Sequence, residues 1–222
     1  MRPWICLSSS SGESFTKIFS SLSEESRQNF TGLFLDRQCP AETKALEFLP
    51  SNQVTRFERK EFEENLLKHL AQSAFRKGTT EPLIFLCGFF GILSPAFLQR
   101  CPGPIVNTHP SLLPAFPGLD QKVHRAVFEK VPLSGFSIHL VTEELDGGPI
   151  VFSHPVYLGL DLNEESARSK VRAAEQKFAP KVLDALLRSA IKSDDRHLSS
   201  RALREKFQLS FAYFQESEQA QT

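Results

Sequence analysis

The chain has 222 residues, of which 41% are apolar and 23% charged, and these are the proportions of an ordinary globular protein with a substantial core. Its 26 basic and 26 acidic residues cancel, so no net field draws it to nucleic acid or to an anionic membrane. No apolar run approaches the ~18 residues of a membrane-spanning helix, and the first one is too short for a signal-peptide core. The sequence therefore predicts a cytoplasmic protein without a nucleic-acid or membrane partner.

Apolar runs typical of strands alternate along the chain with amphipathic segments typical of helices. The predicted strands are residues 3–7, 31–35, 53–57, 83–89, 103–107, 134–142 and 149–158. The predicted helices are residues 14–22, 41–49, 60–76, 122–129 and 163–191, with one more around 199–214. Pro180 falls inside the helix 163–191, where it can bend the helix. The alternation predicts βαβ crossovers and a mainly parallel sheet, whereas the last two strands are expected to pair antiparallel at one sheet edge.

The cysteines indicate a reducing compartment. Cys6, Cys39, Cys87 and Cys101 form no Cys-x-x-Cys pair and show no zinc-like spacing. Cys6 and Cys87 lie inside apolar runs, as reduced buried cysteines do. We therefore expect neither disulfide bonds nor a bound metal.

Asn107 and His109 come where the predicted strand 103–107 ends, at the start of the stretch Asn-Thr-His-Pro-Ser-Leu-Leu-Pro-Ala-Phe-Pro-Gly. In an open parallel sheet, ligands bind beyond the carboxyl ends of the strands. An amide and an imidazole two residues apart can converge on one oxygen atom, which suits a reaction that turns a carbonyl into an oxyanion. A histidine that merely caps a turn is the competing interpretation.

Asp146 lies in the segment Thr-Glu-Glu-Leu-Asp-Gly-Gly-Pro, between the last two predicted strands. A carboxylate beside a histidine orients the ring and favours its protonated form. However, Asp-Gly is also a common hairpin turn. From the residues alone, a catalytic group and a plain hairpin both stay open.

These segments, with the intervening His-Arg-Ala-Val and Gly-Phe-Ser-Ile-His-Leu-Val runs, resemble the glycinamide ribonucleotide formyltransferases over about residues 3–188. The resemblance rests on Asn-x-His followed by Pro-Ser-Leu-Leu-Pro and, later, Asp-x-Gly. It implies a three-layer α/β/α fold with a mixed, mainly parallel sheet and a Rossmann-like N-terminal half. That formyltransferase domain would cover residues 1–192, and a helical and polar tail would cover 193–222.

The resemblance also implies a reaction. A phosphoribosylglycinamide formyltransferase is a one-carbon transferase that moves the formyl group of 10-formyltetrahydrofolate, a co-substrate, to the amine of glycinamide ribonucleotide in purine biosynthesis. It would use no metal, act on small molecules, and be a monomer or homodimer. Asn107 and His109 would stabilise the oxyanion, His109 would also shuttle protons, and Asp146 would hold the imidazole. The amine would attack directly, without a covalent enzyme intermediate.

The resemblance further implies two binding regions. The folate would contact Arg59, Phe90, Gly91, Ile92, Leu93, Asn107, Thr142, Glu143, Glu144, Leu145 and Asp146. The nucleotide would contact Ser11, Gly12, Glu13 and Ser14 through its phosphate, at a helix N-terminus, and Glu175 through its ribose. For Arg59 and Glu175, an ordinary solvated helix charge is an equal alternative. For His124 a structural role is an equal alternative to a catalytic one, and for His139, on an alternating strand, a structural role is favoured.

Two residues depart from the family pattern. Gly91 stands where many members have an arginine, and Glu13 places a carboxylate in the phosphate loop. Two alternatives stay open, and these departures motivate the first of them. One is a formyltransferase of the same fold with another acceptor, such as an amino sugar or another phosphorylated amine. The other is a folate-binding relative without turnover.

Overall fold

The fold is seen in a computed structural model of the chain that describes residues 1–72, 81–118, 120–159 and 163–206. Within these residues, seven strands form one sheet in the order β3-β2-β1-β4-β5-β6-β7. The strands are β1 Trp4–Ser8, β2 Phe30–Leu35, β3 Val54–Arg56, β4 Leu83–Leu86, β5 Ile105–His109, β6 Leu133–Leu140 and β7 Ile150–Tyr157. The first five are parallel, and β6 and β7 are antiparallel to their neighbours.

The helices connect the strands across both faces of the sheet. They are α1 Glu13–Ser21, α2 Glu24–Gln28, α3 Pro40–Leu46, α4 Phe62–Gln72, α5 Pro95–Arg100, α6 Asp120–Lys130 and α7 Glu164–Arg188, with short 3-10 turns at Ser51–Gln53 and Ser193–His197. Helix α7 continues through the buried Pro180. None of the helices in the described ranges is both long enough and apolar enough to span a bilayer.

Alternation along β1 explains the three layers. Trp4 and Cys6 face one side of the sheet and join a cluster with α1 and α7, which we name the α1–α7 core. Ile5 and Leu7 face the other side and join a cluster with α4 and α5, the α4–α5 core. The predicted mixed α/β/α fold is therefore confirmed.

The seven predicted strands correspond to the observed ones, with different ends. Residues 83–89 are continuously apolar, yet β4 ends at Leu86, because the chain turns at Gly88, whose φ is +61°. β5 extends beyond its predicted end to His109. The short helices α2 and α5 were not predicted, since each is too short to show an apolar stripe. Their start signals are nevertheless present, because Ser23 and Ser94 cap them through their hydroxyl groups.

The segment after α7 packs on the same body. Leu203 is buried in the α1–α7 core, and the Ser200 hydroxyl accepts the backbone N–H of Ile150 at 2.9 Å. Residues 200–206 are helical, and the rest of the helix expected around 199–214 lies outside the described residues. The domain boundary at residue 192 stays a prediction.

Candidate active site

A cavity of about 410 Å³ lies where the loops after β1, β4 and β5 meet, at the carboxyl edge of the parallel strands. Strand order reverses between β1 and β4, and ligands of open α/β sheets bind at such a switch point. Of the predicted site residues, those lining the cavity are Ser11, Gly12, Ser14, Phe90, Gly91, Ile92, Leu93, Asn107, His109, Thr142, Glu143, Glu144, Leu145, Asp146 and Glu175. Glu13 and Arg59 are outside the lining.

The register between β5 and β6 sets the centre of the site. Asn107 and His109 are two residues apart on β5, so their side chains share one face. On the antiparallel β6, His139 is paired with Asn107, and Ser137 with His109. The three ring and amide groups therefore meet at one wall of the cavity.

Asp146 connects these groups. Its Oδ2 lies 3.5 Å from Nδ1 of His109 and accepts the backbone N–H of Gly118 at 2.8 Å, while its Oδ1 lies 3.5 Å from Nε2 of His139. The carboxylate is only 6% exposed. Burial by itself raises the pKa of Asp146, but hydrogen bonds from His139 and Gly118 and the nearby imidazoles outweigh burial and lower it. Asp146 is therefore an anion at neutral pH.

The two histidines have different hydrogen-bonding roles. Nε2 of His109 donates to the carbonyl of Phe116 at 2.8 Å, so Nδ1 of the same ring is the atom that faces Asp146. An ionised Asp146 completes a hydrogen bond there only when Nδ1 also carries a proton, which suits an imidazolium. In His139, Nδ1 donates to the Leu140 carbonyl at 2.9 Å, and Nε2 faces both the Asn107 amide at 3.2 Å and Oδ1 of Asp146 at 3.5 Å. An Nε2 without a proton accepts from the amide, whereas a protonated Nε2 donates to the carboxylate.

The loop after β5 is held by hydrogen bonds from within and from β6. The Ser111 hydroxyl donates to the Ala115 carbonyl at 2.6 Å, and the Ser137 hydroxyl accepts the backbone N–H of Leu113 at 3.0 Å. The carbonyl that receives His109 belongs to Phe116, whose φ of +54° is unusual for a bulky residue. These hydrogen bonds and the positive φ thus hold the Phe116 carbonyl towards His109.

The N-terminus of α1 forms another part of the cavity wall. Gly12 caps the helix with φ +74°, and a Cβ there would lie 2.7 Å from the Cα of Ala41, so the turn requires glycine. Ser14 donates its hydroxyl to Glu175 at 2.7 Å. Arg168 and Arg172 of α7 also line this part of the cavity. The N-terminal backbone N–H groups, the helix dipole and two guanidinium groups together favour an anion.

Glu13, which does not line the cavity, forms ion pairs with two cations. Its Oε2 lies 2.9 Å from Nη1 of Arg172, and its Oε1 lies 3.5 Å from Nζ of Lys44. The carboxylate is thus neutralised by its neighbours. One of those neighbours, Arg172, is itself a cavity residue.

The turn after β4 forms the opposite wall. Arg59 lies behind it, with its Cζ 5.9 Å from the centre of the Phe89 ring and its Nη2 3.5 Å from the Ile92 carbonyl. A Cβ on Gly91 would lie 2.2 Å from Nη1 of Arg59. Ile92 and Leu145 are both more than half exposed and line the cavity. Among the residues described, no group of three His, Cys, Asp or Glu side chains is arranged to hold a metal ion.

The chain is similar to known proteins over most of its length. Residues 4–183 match the family described as formyl transferase. The chain is 39% identical over 102 residues to phosphoribosylglycinamide formyltransferase of Escherichia coli, a match that covers 46% of this chain and 47% of that protein. It is 34% identical over 149 residues to the enzyme of the same name from Haemophilus influenzae, covering 66% of this chain and 70% of that protein.

A solved structure agrees with these matches. The crystal structure of glycinamide ribonucleotide transformylase 1 from Symbiobacterium toebii superposes with a TM-score of 0.71 at 26% identity, covering 84% of this chain and 88% of that one. The chain belongs to the formyl transferase family. The resemblance inferred from the Asn-x-His and Asp-x-Gly segments is thereby confirmed, while the chain matches only about half the length of the Escherichia coli relative.

The cavity residues that the sequence did not assign to the site include Arg168, Arg172 and His139. Arg168 and Arg172 precede Glu175 by seven and three positions, a helical spacing that places all three on one face of α7 and could have identified them. His139 lies on an alternating strand, which favoured a structural role for it. Its pairing with Asn107 depends on the β5–β6 register, which no local pattern specifies.

Proposed function

We propose that this chain is a phosphoribosylglycinamide formyltransferase, which transfers the formyl group of 10-formyltetrahydrofolate to the amine of glycinamide ribonucleotide in purine biosynthesis. The observation that carries the proposal is the position of Asp146. Its carboxylate lies 3.5 Å from both His109 and His139, beside Asn107, in a cavity that also includes the N-terminus of α1. Such a cavity offers oxyanion donors and an anion site together.

In the proposed mechanism the acceptor amine attacks the formyl carbon directly. The formyl oxygen becomes an oxyanion, which is stabilised by the Asn107 amide and by a protonated His109, whose Nε2–H turns to it from the Phe116 carbonyl. The C–N bond to the folate then breaks, the folate nitrogen takes up one proton, and the acceptor nitrogen loses one. Asp146 keeps His109 oriented and charged, and His109 relays the proton. No protein nucleophile takes part in this scheme.

The groups that line the cavity are of the kinds that both proposed substrates need. For the folate, the wall formed by residues 88–93 and 141–146 combines apolar side chains with backbone polar groups, as sites for flat heterocycles do. For the nucleotide, the phosphate would lie at the N-terminus of α1 near Arg168 and Arg172, with Glu175 towards the ribose. The folate is a co-substrate in this proposal, and the chemistry requires no metal.

The proposal extends to the organisation of the protein. Residues 1–192 would form the formyltransferase domain and residues 193–222 an appended segment. The protein would act in the cytoplasm on small molecules, without nucleic-acid or membrane partners, as a monomer or homodimer.

One observation favours a second acceptor class. Because Glu13 already occupies Arg172, the anion site is partly neutralised, which favours an acceptor with less negative charge than a phosphate, such as an amino sugar. The chemistry at Asn107, His109 and Asp146 would be unchanged.

Formyl transfer from 10-formyltetrahydrofolate, or its dideazafolate analogue, tests the proposal when absorbance is followed with and without glycinamide ribonucleotide. We expect acceptor-dependent turnover that falls on the order of a hundredfold or more in His109→Ala. The matched control is His197→Ala, because His197 is exposed in the 3-10 turn after α7 and does not line the cavity. Full activity in His109→Ala would remove that residue from the mechanism. Turnover with an amino sugar but not with the ribonucleotide would select the second acceptor class.

A further inference from the structure

Asp36 is a buried carboxylate that none of the sequence patterns singled out. It directly follows β2, and its side chain is 0% exposed, although it does not line the cavity. Arg37 binds both of its oxygens, with Nε 3.1 Å from Oδ1 and Nη2 3.2 Å from Oδ2. Arg59 places Nη1 2.8 Å from Oδ2. One carboxylate thus fixes two guanidinium groups through charge-assisted hydrogen bonds.

Asp36 reaches the turn Phe90–Ile92 by two routes. On one route the Ser9 hydroxyl lies close enough to Asp36 to lower the pKa of that carboxyl, and it accepts the backbone N–H of Phe90 at 3.3 Å. On the other, Arg59 donates from Nη2 to the Ile92 carbonyl at 3.5 Å. Both ends of a turn that lines the cavity are therefore bound to groups that Asp36 holds.

Gly91, at the centre of that turn, fits this arrangement. A Cβ at position 91 would lie 2.2 Å from Nη1 of Arg59 and 2.7 Å from the Phe89 ring, so any larger residue would displace the arginine. The same Nη1 is the atom bound to Asp36. The space beside Gly91 is therefore filled by the same guanidinium group of Arg59 that Asp36 binds.

An ionised Asp36 is consistent with this geometry. Burial by itself raises the pKa of Asp36, but hydrogen bonds from Arg37 and Ser9 and the charge of Arg59 outweigh burial and lower it. A buried ion cluster is weak evidence for stability, since apolar residues of similar volume often serve as well or better. The contacts of Ser9 and Arg59 with the turn Phe90–Ile92 give a functional reason for the cluster.

We infer that Asp36 is a positioning residue for the formyl donor, holding the turn Phe90–Ile92 in its binding conformation through Ser9 and Arg59. This inference rests on the proposed function, because the turn is a donor wall only if the chain binds a formyl folate. It assigns to Asp36 an effect on donor affinity and none on the chemistry at His109.

The test compares Asp36→Asn with wild type in two assays. Isothermal titration with tetrahydrofolate should show a Kd about tenfold higher in the variant, the effect expected for losing a hydrogen bond to a charged group. Steady-state kinetics should show a similar rise in donor KM, with acceptor KM and kcat within about twofold. Asp195→Asn is the matched control, because Asp195 is also buried and ion-paired, to Lys206, but does not line the cavity. It should change the melting temperature and leave folate affinity unchanged.

Gly91→Ala tests the same inference without touching Asp36. It should displace Arg59 and raise the Kd of tetrahydrofolate by a similar factor. In the double variant, the Kd should rise by less than the product of the two single factors. If Asp36→Asn does not fold, Gly91→Ala decides. Unchanged folate affinity in either folded variant overturns the inference while leaving the proposed function intact. A wild type that binds no tetrahydrofolate overturns both.

Discussion

Glu13→Gln is the substitution that best separates the two acceptor classes. In the structure, the Glu13 carboxylate holds Arg172, a residue that lines the cavity beside the N-terminus of α1. A phosphate can use Arg172 fully only after this ion pair opens. Replacing the carboxylate with an amide frees Arg172 and removes a negative charge near the phosphate, so a phosphorylated acceptor should bind more tightly.

The size of the effect follows from the exposure of the pair. Arg172 and Glu13 are 38% and 47% exposed, and exposed pairs contribute about 0.2–1 kcal/mol. Removing that competition should lower the acceptor KM by about 1.4- to 5-fold. The donor KM and kcat should not change, because Glu13 is outside the cavity lining.

The assay is steady-state formyl transfer with glycinamide ribonucleotide at low and high salt. The gain should shrink at high salt, since exposed charges are screened beyond a few ångströms there. Glu24→Gln is the control, because Glu24 also begins a helix, α2, and does not line the cavity. An acceptor KM that stays the same in Glu13→Gln would refute the competition argument, and a KM that rises would show instead that Glu13 assists the acceptor.

Three further predictions concern groups already described. Asp146→Asn should lower kcat on the order of a hundredfold or more in the transfer assay, because His109 loses the anion that keeps it charged; near-normal kcat would exclude that role. Gly12→Ala should lower the free energy of unfolding by about 2 kcal/mol or more in urea titrations, through its positive φ and the contact with Ala41; an unchanged midpoint would mean that the turn rearranges freely. Because the pKa values of Asp36 and Asp146 are lowered in the folded state, their ionised forms stabilise the fold above about pH 4, and this contribution is lost as pH falls through the lowered values. Urea titrations from pH 7 to pH 3 should show a fall in the free energy of unfolding that is shallower in the double variant Asp36→Asn/Asp146→Asn than in wild type. Equal pH profiles of the two proteins would contradict the pKa directions.

Much of the fold was predictable because its signals are local. Continuous apolar runs marked β4 and β5, and alternation marked β3 and β6; the antiparallel pairing expected of β6 and β7 is confirmed. Strand ends were less predictable. β4 stops where Gly88 takes a positive φ, and an apolar run alone carries no information about that turn.

The candidate site was likewise predictable only in part. Asn107 and His109 were identifiable from their place after a strand, and Asp146 from its resemblance to a family pattern. Their mutual distances were not, because they depend on β-sheet register and on the 141–149 connection. Glu13 was recognised as an unusual charge, but its partners Lys44 and Arg172 come from α3 and α7, far apart in sequence. Asp36 gave no signal, since a carboxylate after a strand becomes informative only when Arg59 and Ser9 are seen against it.

The two cores on opposite faces of the sheet have a consequence for how this protein can change. The cavity wall at the N-terminus of α1, the acceptor side in the proposed function, rests on the α1–α7 core through Phe15 of α1 and Val171 of α7. The turn Phe90–Ile92, the donor side in the proposed function, rests on the α4–α5 core through Leu93 and Phe62. A substitution that repacks one core shifts one wall and leaves the support of the other in place. Selection can therefore alter acceptor recognition and folate recognition separately. Glu13 at the start of α1 and Gly91 in the turn after β4 lie one on each side, with Asn107, His109 and Asp146 between them.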